Sequence, residues 1–138
     1  MRRIDVSCAV IMHRGQILIC RRAPHKSSAG LWEFPGGKVE ANENPLQCIL
    51  RELQEELDLD ANVFGDYGIF HRRGSKIWLH CFLAEPRPGS LPTKSDDHDV
   101  LQYIPLQYMQ TGLINWAPAD IPIVEQLWRD PYVRTILS

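Results

Sequence analysis

Glu52, Glu55 and Glu56 carry the most pointed chemistry in this sequence, in the run Arg51-Glu52-Leu53-Gln54-Glu55-Glu56-Leu57. Residues three and four apart are neighbours on a helix, so Glu55 and Glu56 both flank Glu52, and an uncompensated like pair four residues apart costs roughly 0.2–0.5 kcal/mol. A hard divalent cation removes that cost. Mg2+ accepts a few carboxylates, keeps its other positions for water and phosphate oxygens, and typically sits where a substrate brings phosphates. The plainer alternative is a solvated acidic face with Arg51 pairing Glu55 one turn on. Both readings need a helix. Asn44-Pro45 starts one: the Asn side chain can cap free N–H groups, Pro suits the first helical position, and Gln47 stands where a capping box requires it. From Pro45 onward Leu46, Ile49, Leu50, Leu53 and Leu57 recur at three- and four-residue intervals, an apolar stripe expected to pack on a sheet.

The spacing extends upstream. Gly37, five residues, Glu43, seven residues, Arg51-Glu52, and then Leu53, Glu55-Glu56 and Leu59 reproduce the Nudix box. The chain therefore resembles the Nudix hydrolases. It departs at Asp58, where the family usually has Gly. That site is expected to close the helix in a left-handed turn, which Asp tolerates better than most non-glycine residues. The resemblance implies an α/β/α sandwich with a mixed, partly antiparallel sheet between the box helix and a C-terminal helix. It also implies metal held by Glu52, Glu55 and Glu56 with the carbonyl of Gly36 or Gly37. Which glutamate serves as general base and which only binds metal stays open. An ion pair between Glu43 and Arg51 would brace the loop–helix turn behind the ligands.

The supporting elements read as follows. Ile4 to Met12 and Gln16 to Arg21 are β-rich segments around His13-Arg14-Gly15, a hairpin. The second strand ends in Arg21-Arg22, where MutT-like members place a phosphate-binding arginine. Arg22 is the candidate, its guanidinium fork matching phosphate oxygens; a solvated strand end is the alternative. Ala23 to Gly30 reads as a loop that closes over substrate. Leu31 to Lys38 reads as one short buried strand entering a glycine turn, and its LWEFPGGK is closest to the triphosphate branch of the family. Phe34 faces either the nucleobase or the core, and Lys38 adds charge near the phosphates.

Ala61 to Arg73 and Lys76 to Ala84 form a second expected hairpin, with His71 and His80 as structural histidines or substrate contacts. Related triphosphatases carry an acid before a late strand. Asp97, ahead of Leu101-Gln102-Tyr103, occupies that place and either reaches metal or water or is a solvated loop carboxylate. A final helix is expected from Ile121 to Arg129, stopped by Pro131. Asp120 caps that helix or, by similarity of Pro118-Ala119-Asp120-Ile121-Pro122 to the family branch acting on CTP and oxidised nucleotides, reads a base amine.

Composition sets the outer limits. With 138 residues and 44% hydrophobic content the chain suits one domain with one sizeable core. A net charge of −2 gives no grip on polynucleotides or anionic membrane. The Met-Arg-Arg start leads into a strand-like segment and no apolar run could span a bilayer, so a cytoplasmic protein is expected. The four cysteines are widely spaced, form no C-x-x-C pair, and are expected as buried thiols.

The resemblance implies a Mg2+-dependent (or Mn2+-dependent) pyrophosphohydrolase. Its substrate would be a CTP-like or oxidised nucleoside triphosphate such as 8-oxo-dGTP, cleaved to monophosphate and pyrophosphate in nucleotide-pool sanitation and DNA repair. The expected partner is that small molecule alone, bound by a monomer or homodimer. Three rivals are a Nudix hydrolase of another nucleoside diphosphate derivative, a non-catalytic domain that recognises oxidised bases, and a structural or partner-binding domain whose acidic helix is accidental.

Overall fold

The structure is a computed structural model that describes residues 2–93, 95–110 and 112–137. Two hairpins dominate it. β1 (Ile4–His13) turns through Arg14 and Gly15, both at positive φ, into β2 (Gln16–Arg22). β5 (Ala61–His71) and β6 (Ile77–Pro86) form the other, with two register shifts in β5. β1 and β6 join them in parallel over eight residue pairs, from Ile4↔Ile77 to Ile11↔Ala84.

β1 and β2 pair only beside their turn, at Met12↔Ile17 and His13↔Gln16. Beyond it they splay. The first half of β1 pairs instead with β4 (Gly36–Lys38), while β2 pairs with β3 (Trp32–Glu33) and with β7 (His98–Pro105). The segment 31–38 is therefore two strands on different neighbours and not one continuous strand. Pro35 stands between them without an N–H to donate to a ladder, which favours that break.

Alternation along the strands splits the core into two layers. Cys8, Val10 and Met12 of β1, with Leu79, Cys81 and Leu83 of β6, pack against Ile123, Val124 and Leu127. Ala9 and Ile11, with Phe82 and Ala84, pack against Ile49, Leu53 and Leu57. Period-two side chains send each strand's residues to both faces, so helices must cover both, and the expected α/β/α sandwich follows. One face carries α1 (Pro45–Leu57); the other carries α2 (Ile121–Arg129) and buries Val133 of α3 (Pro131–Leu137).

α1 begins as expected. The Asn44 side chain accepts from Gln47 N at 2.8 Å and the Gln47 side chain accepts from Asn44 N at 2.9 Å. It ends at Asp58, left-handed at φ 49°, whose N–H returns to the Gln54 and Leu53 carbonyls. The apolar stripe differs from expectation: Leu46 and Leu50 are each 43% exposed, and Cys48 is buried with Ile49, Leu53 and Leu57. A Cys side chain is small enough to fit where α1 approaches the Gly37–Lys38 backbone, and its thiol meets both carbonyls. Pro131 does stop α2, but it also starts α3, because Pro at a first helical position opens a helix as readily as it closes the preceding one. None of the described helices is long and apolar enough to cross a membrane.

Candidate active site

The splay between β1 and β2 opens a cleft of about 400 Å³. Its walls include Val6 and Cys8 from β1, Arg22 at the end of β2, Glu33 and Phe34, and Gly36–Lys38. Arg72 and Ser75 at the β5–β6 turn and residues 117–120 before α2 close it. Among the residues expected at a site, the cleft thus gathers Arg22, Phe34, Gly36, Gly37, Lys38 and Asp120.

Two close approaches set its acidic side. A Cβ at Gly36 would collide with the Ser7 carbonyl, so only glycine lets β4 lie this near β1. A Cβ at Gly37 would collide with the Glu52 carboxylate, which therefore stands directly behind the cleft wall. Arg51 organises this region. It forks onto Glu43, Nη2 to Oε1 at 2.6 Å and Nε to Oε2 at 3.0 Å, while Nη1 reaches Glu52 at 3.0 Å and Glu55 at 3.1 Å. The Arg51 fork, helped by the Glu40 N–H, holds the Glu43 carboxyl down at about 2. The expected Glu43–Arg51 pair is thus formed, and it ties the loop after β4 to the middle of α1.

Glu52 and Glu56 go the other way. Burial raises the Glu52 carboxyl, opposed by Arg51 and reinforced by the charges of Glu55 and Asp97. Burial also raises Glu56, and the charges of Asp97 and Glu52 push in the same direction. The Glu56 Oε2 atom is buried with no hydrogen-bond partner among the described residues. Asp97 lies beside it and is lowered, chiefly by Lys26, whose Nζ stands 2.8 Å from Asp97 Oδ1. Among the described residues no three His, Cys, Asp or Glu side chains stand ready to grip a metal ion. Glu52 and Glu55 pair instead with Arg51, and Asp97 pairs with Lys26.

The donor set nonetheless suits a hard divalent cation. It consists of oxygen ligands only, one of them a buried orphan, with the charges of Asp97 and Glu52 close enough to raise Glu56. The Gly37 carbonyl, one of the two backbone candidates, is approached by the Cys48 thiol at 3.5 Å.

Asp120 lies on the other side. It is 5% exposed, and its Oδ2 accepts the Phe34 N–H at 2.8 Å. It makes no side-chain cap to α2. The bond to Phe34 joins the residues before α2 to β3's exit, and burial, with the Glu33 charge adding, pushes the Asp120 carboxyl up to about 8. Phe34 is 3% exposed, belongs to the core and stacks on Trp116 at 5.6 Å, and it also lines the cleft.

His71 and His80 do not line this cleft. His71 bonds the Ser75 carbonyl and stacks on Trp78, and His80 meets Asp5 at 2.9 Å. The loop from Ala23 to Gly30 is held by Lys26 on Asp97, by the Ala23 N–H on the Asp97 carbonyl, and by Arg22 Nε on the Ser27 carbonyl. Sequence reasoning missed Glu33 and Arg72. Glu33 accepts from Arg22 at 3.4 Å and meets His98 Nε2 at 2.8 Å. Its only signal was adjacency to Phe34; for Arg72, at the turn of a distant hairpin, the sequence held none.

A NUDIX domain model matches residues 1–127. The chain is 40% identical over 129 residues to a CTP pyrophosphohydrolase of Escherichia coli K12, covering 91% of each. It is 38% identical over 138 residues to an 8-oxo-dGTP diphosphatase of the same organism, covering 94% of this chain and 99% of that one. The solution structure of the E. coli ORF135 protein superposes with a TM-score of 0.71 at 34% identity, over 91% of this chain and 88% of that chain. The resemblance drawn from the spacing of Gly37, Glu43, Arg51-Glu52 and Glu55-Glu56 is thereby shown, and this chain belongs to the NUDIX domain family as a Nudix hydrolase.

Proposed function

We propose that this hydrolase converts a nucleoside triphosphate to the monophosphate and pyrophosphate, with CTP-like and oxidised nucleotides as its substrate class. One observation carries the reading most: Gly37 lines the cleft and abuts Glu52, so a nucleotide between Asp120 and Gly37 lays its phosphates against the acidic cluster. The names of the two E. coli relatives favour the same class.

Glu52, Glu55, Glu56 and Asp97, with the carbonyl of Gly36 or Gly37, would hold Mg2+, or Mn2+ in its place. When bound, that ion screens the polyphosphate and polarises phosphorus. Arg22, at the cleft, binds phosphate oxygens through its fork, and Lys38 adds a point charge beside the glycines. One of the glutamates takes the proton of the attacking water. The oxygen of that water bonds to the β-phosphorus, the bridging bond to the α-phosphate breaks, and the nucleoside monophosphate leaves, pyrophosphate remaining. Asp120 meets the exocyclic amine of the base, and Phe34 lies against the ring. Glu43 orients Arg51, and through it Glu52.

The test is a panel of canonical and oxidised triphosphates, with nucleoside diphosphate sugars alongside, assayed for pyrophosphate and orthophosphate release with and without Mg2+. Pyrophosphate release from a triphosphate, abolished by chelator, is expected. Cleavage confined to the diphosphate sugars, or binding of oxidised nucleotides without turnover, would overturn the reading in favour of one of its rivals.

A further inference from the structure

Lys26 extends its side chain from the loop between β2 and β3 into the acidic cluster. Its Nζ stands 2.8 Å from Asp97 Oδ1, and the same loop is pinned by the Ala23 N–H on the Asp97 carbonyl. Asp97 in turn adjoins Glu56, whose buried Oε2 has no partner among the described residues.

The two basic residues in this cluster differ in kind. Arg51 is held by a fork to Glu43 and by two further carboxylates, and its side chain is 23% exposed against 12% for Glu43. Four directed contacts to carboxylates from a planar group, with a further one to the Lys38 carbonyl, make it a fixture. Among the described residues the Lys26 side chain has one ion pair, with both partners about a third exposed. An ammonium is a strongly hydrated point charge on a flexible stem, and a pair of this exposure is weak. It can be exchanged.

We propose that Lys26 is an internal counter-ion for Asp97, displaced when a divalent cation binds at Glu52, Glu56 and Asp97, and thereby freed to meet the substrate's phosphate oxygens. The inference rests on the reading that those carboxylates hold a cation. Displacement costs the cation part of its affinity, so the wild-type protein binds metal less tightly than its carboxylates alone would allow. The freed ammonium returns that loss only once a polyphosphate is present, which couples metal retention to substrate.

The experiment is Mn2+ titration of the nucleotide-free protein, read by electron paramagnetic resonance of free Mn2+. Lys26→Met keeps the stem and removes the charge, and is expected to tighten Mn2+ about two- to fivefold, the scale of one exposed pair. Lys26→Arg restores the pair and is expected to bind as the wild type does or more weakly. In an Asp97→Asn background the Lys26→Met gain should vanish. Equal or weaker Mn2+ binding by Lys26→Met, or a gain that persists without the Asp97 charge, would overturn the proposal while leaving the metal reading intact. A wild-type protein that binds no Mn2+ would overturn both.

Discussion

Removing the negative charge at Glu56 tests whether the cluster holds metal. Glu56→Gln is nearly isosteric, and a neutral amide suits a buried atom without a partner at least as well as a carboxylate does. The variant is expected to keep the wild-type melting temperature while turnover falls on the order of a hundredfold. Steady-state kinetics beside thermal unfolding checks this, and undiminished turnover would remove Glu56 from the ligand set. Asp120 has a different signature, because its carboxyl rises to about 8 in the fold against an ordinary value of 3.8. Between those values the native state keeps a proton that the unfolded chain releases, so stability falls as pH rises through the window and levels off above it. Asp120→Asn can still accept the Phe34 N–H but has no proton to lose. Its melting temperature relative to wild type is therefore expected to improve steadily from about pH 4 to about pH 8. Its preference among bases should change more than its turnover of any one triphosphate. A uniform slowing across all nucleotides would make Asp120 only the tie between β3 and the segment before α2.

At the scale of elements, the position of the α1 glutamates depends on how the loop before the helix is fixed. The capping box sets where the helix starts, and the Arg51–Glu43 fork sets how the loop returns to it. Arg51→Lys retains the charge but loses the fork. It is expected to lower the melting temperature by a few degrees and to reduce turnover more than that small loss of stability explains, because Glu52 loses its orienting partner. Measuring both quantities on one preparation separates the effects. Glu43→Gln carries a pH signature opposite to that of Asp120. The Glu43 carboxyl lies at about 2 in the fold against 4.5 ordinarily, so its stabilisation is present above the higher value and is lost as pH falls through the lower one. The stability gap between Glu43→Gln and wild type should thus close as acid unfolding is followed from about pH 5 to pH 2. The helix's outer face is less constrained. Leu46 and Leu50 lie outside the buried set, so their replacement by polar residues is expected to move stability little.

At the scale of the whole molecule, two apolar layers hold the sheet between helices without help from any ligand of the acidic cluster. Chelation with EDTA is therefore expected to abolish hydrolysis while leaving the thermal unfolding curve in place; a large loss of stability on chelation would show that the cation also serves the fold. What the sequence by itself determined was local. The start of α1 at Asn44-Pro45, its left-handed end at Asp58, the two hairpins, and the Glu43, Arg51, Glu52 and Glu55-Glu56 spacing all depend on residues within about two turns of one another, where geometry follows from chain connectivity. The helix stripe was read less well, because the identity of the neighbour decides which apolar residues are buried, and Cys48 displaced Leu46 and Leu50 for want of room beside Gly37–Lys38. Only the tertiary structure decided the cleft. Beside the divergence of β1 from β2, the placing of Arg72 and Glu33 at one cleft and the contacts of Lys26 with Asp97 and Asp120 with Phe34 join residues far apart in the chain. No local preference encodes such pairings, since they arise from how the sheet twists and which faces the helices cover.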